Sequence, residues 1–273
     1  MKDYFEKFES IDEFAEVVNT RSTTVYYKGL TELASQNDDI KFTSTESYEV
    51  ATKLLLEGDK NMAKRLSNEL KTIKLNNSNM VCKNVLYGSQ NGFIPNVGAV
   101  MSGHPLNMIN IKQQKFRNSK VITLALNCAV PGTVSVDAIT SYNVRLLTII
   151  SNLEKQGYRI NLYIGSISYM SKSKNNVGFF VKIKDAGKPL NILNVAYPLI
   201  NPSFNRRHKF RWLETCENAK CRQYGYALSK DKATPIACDI LGKHTLYLGV
   251  MDNVYKSKDE IIDELENQRG CKF

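Results

Sequence analysis

The sequence predicts an α/β fold: a mainly parallel, doubly wound sheet with one antiparallel edge hairpin, preceded by a helical N-terminal region. Three features predict it. From Val121 onward, short apolar and β-branched runs alternate with a long helical pattern; YRINLYIGSIS is followed, after a polar loop, by GFFVKIKD; and before residue 78 the apolar spacing is helical. Alternating strands and helices favour parallel pairing through right-handed crossovers, and two strands joined by a short loop favour antiparallel pairing. The chain is expected to divide into a helical region at 1–78, an ordered irregular connection at 79–120 and an α/β domain at 121–273.

Ser10 and Glu13 have capping-box spacing, which starts a helix near 10–19 carrying Ile11, Phe14, Val17 and Val18. Thr43 and Glu46 repeat the device ahead of YEVATKLLLE, and Gly58 is placed to end that helix. Met62, Leu66, Leu70 and Ile73 mark one face of a third helix. Between Asn76 and Lys120 the chain is rich in Gly, Asn, Ser and Pro, yet it keeps Phe93, Ile94, Val97, Val100 and Met101, which is why an ordered connection is expected. VITLALNC then suits a strand buried on both faces, and AVPGT a turn. A long helix follows through Val136, Ile139, Val144, Leu147, Ile150 and Leu153, closing on Gly157. After the hairpin, with loop SYMSKSKNN, come a helix interrupted or ended at Pro198, a late strand HTLYLGVM, and a helix DEIIDELENQ capped by Ser257 and Glu260.

Composition removes whole classes. The 273 residues are 42% hydrophobic and 23% charged, which is a folded composition. No apolar run approaches the roughly 18 residues of a membrane-spanning helix, so no membrane partner is expected. The first ten residues have no secretory apolar stretch, and six scattered cysteines read as reduced thiols; the expected location is the cytoplasm.

Little of the chemistry stands out. Cys216 and Cys221, with His208 and Cys238, could form a Cys₃His zinc set, but His208 and Cys238 lack paired partners, and incidental thiols are favoured. Cys128, at a strand end, has only His104, His208 and His244 for a base, and no nucleophile elbow is present. Phosphate-cradling glycine motifs are absent and no cofactor is implied. Asp185 and Asp252 at strand ends would suit a divalent metal, although Asp185-Ala186-Gly187 reads equally as a turn, and Asp137 is explained by a helix dipole.

The main functional signal is basic. Arg206, Arg207, Lys209, Arg211, Lys220, Arg222, Lys230 and Lys232 interleave with Phe204, Phe210, Trp212, Tyr224 and Tyr226, the mixture that neutralises phosphates and stacks on bases. Lys112, Lys115, Arg117 and Lys120 form a second cluster, and Lys172 and Lys174 lie in the hairpin loop. The competing structural reading puts the aromatics in the core under a solvated basic surface.

The strand, crossover helix and hairpin order resembles von Willebrand factor A-like domains in topology. Such domains bind a metal through D-x-S-x-S, but the corresponding residues here are Asn127-Cys128-Ala129-Val130-Pro131, so the resemblance implies no metal site. FTSTESYEVATKLLLEGD, IPNVGAVMSGHPLNM, VITLALNCAVPGTVSVDAI and KDAGKPLNILNVAYPLINPSFNRRHKFRWLE together resemble an unknown-function family of bacteriophages and mobile elements. In that family an acidic residue often follows Gly-x-Pro, whereas Gly103-His104-Pro105 here precedes Leu106. The resemblance spans about 42–214, implies a phage or mobile-element setting and supplies no activity.

The expected function is therefore binding without catalysis. Arg206, Arg207, Lys209 and Arg211, with Lys115 and Arg117, would engage nucleic acid or an acidic protein. A second class is a protein-docking module using a strand-end crevice at Asn127, Cys128 and Thr133; a third is a metal-dependent enzyme such as a nuclease.

Overall fold

The computed structural model describes residues 2–28, 33–37, 40–72, 82–115, 120–130, 132–219, 224–249 and 253–270. Its first element is a strand, β1 (Tyr4–Phe8), followed by helix α1 (Ile11–Thr20). The Glu13 N–H donates to Ser10 Oγ at 3.1 Å, while Glu13 Oε2 accepts from the N–H of Glu9, one residue before the box position. Short helical turns α2 (Ala34–Asn37) and α3 (Ile40–Thr43) lead to α4 (Tyr48–Glu57). The cap of α4 is Ser47, whose hydroxyl accepts from the Val50 N–H, and not the expected Thr43. Thr43 is buried, and Ser44 leaves the chain at φ 56 before the new helix starts. Gly58, at φ 85, closes α4, and α5 (Lys60–Thr72) follows. Ile73, expected on its face, lies outside the described residues.

The stretch expected to be irregular holds regular structure: β2 (Cys82–Ser89), β3 (Ile94–Pro95), α6 (Val97–Met101) and β4 (Met108–Lys115). The α/β part is β5 (Val121–Asn127), α7 (Val136–Lys155), β6 (Arg159–Met170), β7 (Asn175–Lys184) and α8 (Ile192–Ile200). It continues with a π-helical turn (Phe204–Lys209) running into α9 (Phe210–Thr215), then β8 (Tyr226–Ala227), α10 (Lys230–Leu241), β9 (Thr245–Gly249) and α11 (Lys258–Arg269). The α8 helix runs through Pro198 to Ile200. Ser135 caps α7, and Ser257 with Glu260 forms the full reciprocal box on α11.

The main sheet has the order β1-β7-β6-β5-β9, with β8 pairing the end of β6. The pairs β5–β6, β5–β9 and β1–β7 are parallel, and β6–β7 is antiparallel. The hairpin is thus present but is not the edge, because β1 pairs along β7 from Tyr4↔Val177 to Phe8↔Val181. This corrects two expectations: the helical region expected at 1–78 opens with a strand of the main sheet, and the hairpin is not at the edge. Strand alternation sends Leu124 and Leu126 into the larger core with α1, α7 and α8, and Ala125 to the other face, where Tyr163, Phe180 and Tyr247 meet Ala233 and Ala237 of α10. No helix among the described residues is long and apolar enough to cross a membrane.

Candidate functional site

The expected basic face turns inward. Arg207 is 0% exposed: its Nε donates to Thr45 Oγ1 at 2.8 Å, Nη2 to the Thr45 carbonyl at 2.7 Å, and Nη1 to the Ser35 and Gln36 carbonyls at 3.2 and 3.1 Å. Arg211 donates to the carbonyls of Val18 and Arg21 and to Thr23 Oγ1, closing the end of α1. Such carbonyls at helix ends have no partner within their own helix, and a guanidinium, with five fixed donors, can satisfy several at once. Glu214, also 0% exposed, accepts from Ser35 Oγ at 2.5 Å, from the Ser35 N–H and from the Tyr224 hydroxyl at 2.8 Å. Arg206, half-buried, lies over the rings of Phe42 and Phe210. Lys209 is buried, and desolvation holds its ammonium below the ordinary range. With Phe204, Phe210 and Trp212 also buried, residues 204–214 are an internal seam joining the N-terminal helices to the sheet. Arg207 and Lys209 present no surface to phosphate.

His208 belongs to this seam. Thr52 Oγ1 donates to the Tyr48 carbonyl, so it accepts from His208 Nε2–H at 3.4 Å, and His208 Nδ1 accepts from the Tyr197 hydroxyl at 3.2 Å. Burial lowers its pKa to about 3. Below its unfolded pKa near 6.5 the unfolded chain takes a proton that the folded chain refuses, so stability should fall with pH by up to about 1.4 kcal/mol per pH unit. Urea midpoints measured from pH 7 to pH 5, where carboxylates stay ionised, should decline in the wild type and stay level in His208→Leu; parallel profiles would show that His208 protonates in place.

The strand-end crevice is closed by the chain itself. Asn127 is buried, its Oδ1 accepting from the Ala129 N–H, and Asn205 Nδ2 donates to the Val130 carbonyl. Residues 198–205 pack over Asn127 and Cys128, leaving about 20 Å³, room for roughly one water. Thr133 is exposed outside it. This corrects the crevice expectation: a space of that size admits no partner residue. Burial pushes the Cys128 thiol up to about 12 and Cys216 up to about 11, which suppresses thiolate chemistry. Cys238 Sγ donates to the Thr245 carbonyl, and Cys221 lies outside the described residues. Asp185 Oδ1 accepts from the Gly187 N–H at 2.6 Å as a turn residue, Asp137 pairs with Arg65, and Asp252 lies outside the described residues. Among the described residues, no three His, Cys, Asp or Glu side chains are grouped to hold a metal.

What remains is the second sheet, order β2-β4-β3. Strands β2 and β4 pair antiparallel from Cys82↔Lys115 to Ser89↔Met108, and β3 adds Ile94↔Ile109 and Pro95↔Met108. No residue from 86 to 111 is buried. Met101 is 83% exposed, Val97 70%, Leu86 64% and Phe93 53%, and Tyr87, Ile94, Val100, Leu106 and Ile111 are exposed too. Residues 86–111 contain no Asp, Glu, Lys or Arg. Lys83, Lys112 and Lys115 lie at the other end of the ladder, where the chain enters and leaves; Arg117 lies outside the described residues. The sequence held a signal for this site: between Glu69 and Asp137 there is no acidic residue, against Lys71, Lys74, Lys83, Lys112, Lys115, Arg117 and Lys120. The exposed, uncharged tip at 86–111 is a surface patch of the kind that marks interaction sites, and the lysine positions 83, 112 and 115 follow it along the ladder as a cationic stem.

The mainly parallel sheet and its small antiparallel companion define a mixed α/β protein. The chain belongs to the family described as Domain of unknown function (DUF7192), whose model matches residues 2–270 and so extends well beyond the segments of 42–214. No curated protein and no solved structure matches it.

Proposed function

We propose that this protein works by binding and not by catalysis, and that its docking element is the small sheet, engaging a protein partner through an apolar patch with an acidic rim. One observation carries the reading: residues 86–111 are folded and none is buried. A three-stranded sheet ordinarily needs a packed apolar face, since ordering each residue costs about 1–2 kcal/mol in backbone entropy. A partner would supply the missing layer, with the tip buried at its centre and the lysine-bearing end of the ladder near its rim. Phosphate contacts, by contrast, call for cations across the contact face, and the tip has none.

The acid-free stretch favours nucleic acid as a second reading, with contact confined to the stem. Salt titrations of labelled single- and double-stranded DNA and RNA separate the two. The expected result is weak retention near physiological salt, equal in wild type and in Lys112→Glu/Lys115→Glu. Tight, steeply salt-dependent binding abolished by that variant would move the function to nucleic acid. Phe93→Asp/Met101→Asp should leave the unfolding free energy from urea titration within about 0.5 kcal/mol of wild type, because neither side chain is buried. A large loss would place the tip in a core and end the docking reading.

We also read β7-β6-β5-β9 as a von Willebrand A-like core to which β1 has been added. Resemblance over 42–214 supports a phage or mobile-element setting, and six scattered cysteines support the host cytoplasm.

A further inference from the structure

We infer that the partner seated on the small sheet is a second copy of this chain, docked through the outer stripe of α4; the inference rests on the docking reading above. Charge divides along the sequence. Residues 1–69 carry fourteen acids against nine lysines and arginines, whereas 70–136 carry seven cations and no acid. The first segment is therefore complementary to the arm, and a second arm is not.

The structure narrows the acidic side to one helix. On α4, Tyr48, Ala51 and Leu55 are buried, and Glu49, Val50, Lys53, Leu56 and Glu57 face solvent. These five fall at i, i+4, i+7 and i+8 or adjacent positions and so form one stripe. Within it Val50 is 41% and Leu56 49% exposed, bracketed by carboxylates, with the exposed Glu46 just before the helix. Glu46, Glu49 and Glu57 outnumber the stripe's one cation, Lys53, so the stripe is net anionic around two aliphatics and complements the small sheet with its apolar tip and cationic stem. Each copy carries both halves, so reciprocal exchange would close a two-fold pair with two identical contacts and leave neither patch open to further association.

The test is molar mass against concentration by light scattering on the full chain, with amide exchange measured on the same samples. Wild type should pass from monomer to dimer as concentration rises. Glu49→Lys/Glu57→Lys and Lys83→Glu/Lys112→Glu should each weaken dimerisation about tenfold or more, and the four changes combined should restore it. Met101→Asp should weaken it without rescue. A monomer at every concentration, a dimer indifferent to these changes, or failure of the combined variant to recover would overturn the inference. In a monomer, exchange then separates the two readings: unprotected β2 and β4 amides would leave the docking reading standing and remove only the second copy, while protected amides would remove both.

Discussion

Arg207→Ala should destabilise the protein by about 3–5 kcal/mol, the loss expected when several buried acceptors lose a charged donor at once. The side chain is fully enclosed and donates to three carbonyls and one hydroxyl on the α2 and α3–α4 segments. Alanine removes all four donors and leaves those carbonyls in a low-dielectric interior, where an unmet acceptor costs about 1–3 kcal/mol. The damage should spread to Ser35, which also holds the Glu214 carboxylate. Arg207→Lys keeps the charge without the planar fork and should recover only part of the loss. Urea unfolding followed by fluorescence of the single tryptophan, Trp212, measures both variants. A loss below about 1 kcal/mol, the range of exposed groups, would return Arg207 to the surface and revive phosphate contact at 206–211.

Phe179→Ala should cost a similar amount, about 3–5 kcal/mol, by opening a cavity in the larger core. Phe179 is 0% exposed on β7, stacks on Phe14 of α1 with centroids 5.0 Å apart, and meets Trp212 at 5.0 Å. It is therefore where the N-terminal helix, the sheet and the 204–214 seam converge. Trp212 emission should shift to the red in the folded variant as water approaches the indole, whose Nε1–H donates to Glu6. Exposed Tyr226→Ala supplies the contrast, with a change within about 0.5 kcal/mol. Equal effects at the two positions would show that Phe179 does not organise the core.

The two variants also bear on function. If the seam holds the N-terminal helices rigidly on the sheet, the α4 stripe is presented as a fixed surface, and loss of dimer in Arg207→Ala should track loss of folded protein. The seam is then support for the surface and not itself a binding site.

Local signals were legible in the chain. The hydroxyls of Ser10 and Ser257 cap α1 and α11 as their spacing indicates, because a capping hydroxyl needs only a backbone N–H two or three residues away. The burial of VITLALN on both faces and the antiparallel hairpin were also local, the first written in β-branched continuity and the second in a short polar loop. By contrast YFEKF gives five residues with two charges, and its partner on β7 lies about 170 residues away, so only the assembled sheet makes it a strand. Likewise CKNVLYGS and MINIKQQK lack clean alternation, and no residue from 86 to 111 is buried, so there nothing selects for apolar residues on one side.

The candidate site shows the same division most sharply. The sequence by itself determined the α/β class, the starts of α1 and α11, the excess of cations and the acid-free stretch around Phe93 and Met101. Which cations face water was decided only by tertiary structure. A cation in a sequence is read as solvated because desolvating it is costly, and that cost is overcome only where several acceptors converge from distant segments. Around Arg207 they come from Ser35, Gln36 and Thr45, more than 160 residues away; the uncharged tip of the small sheet meets no such convergence and stays in solvent.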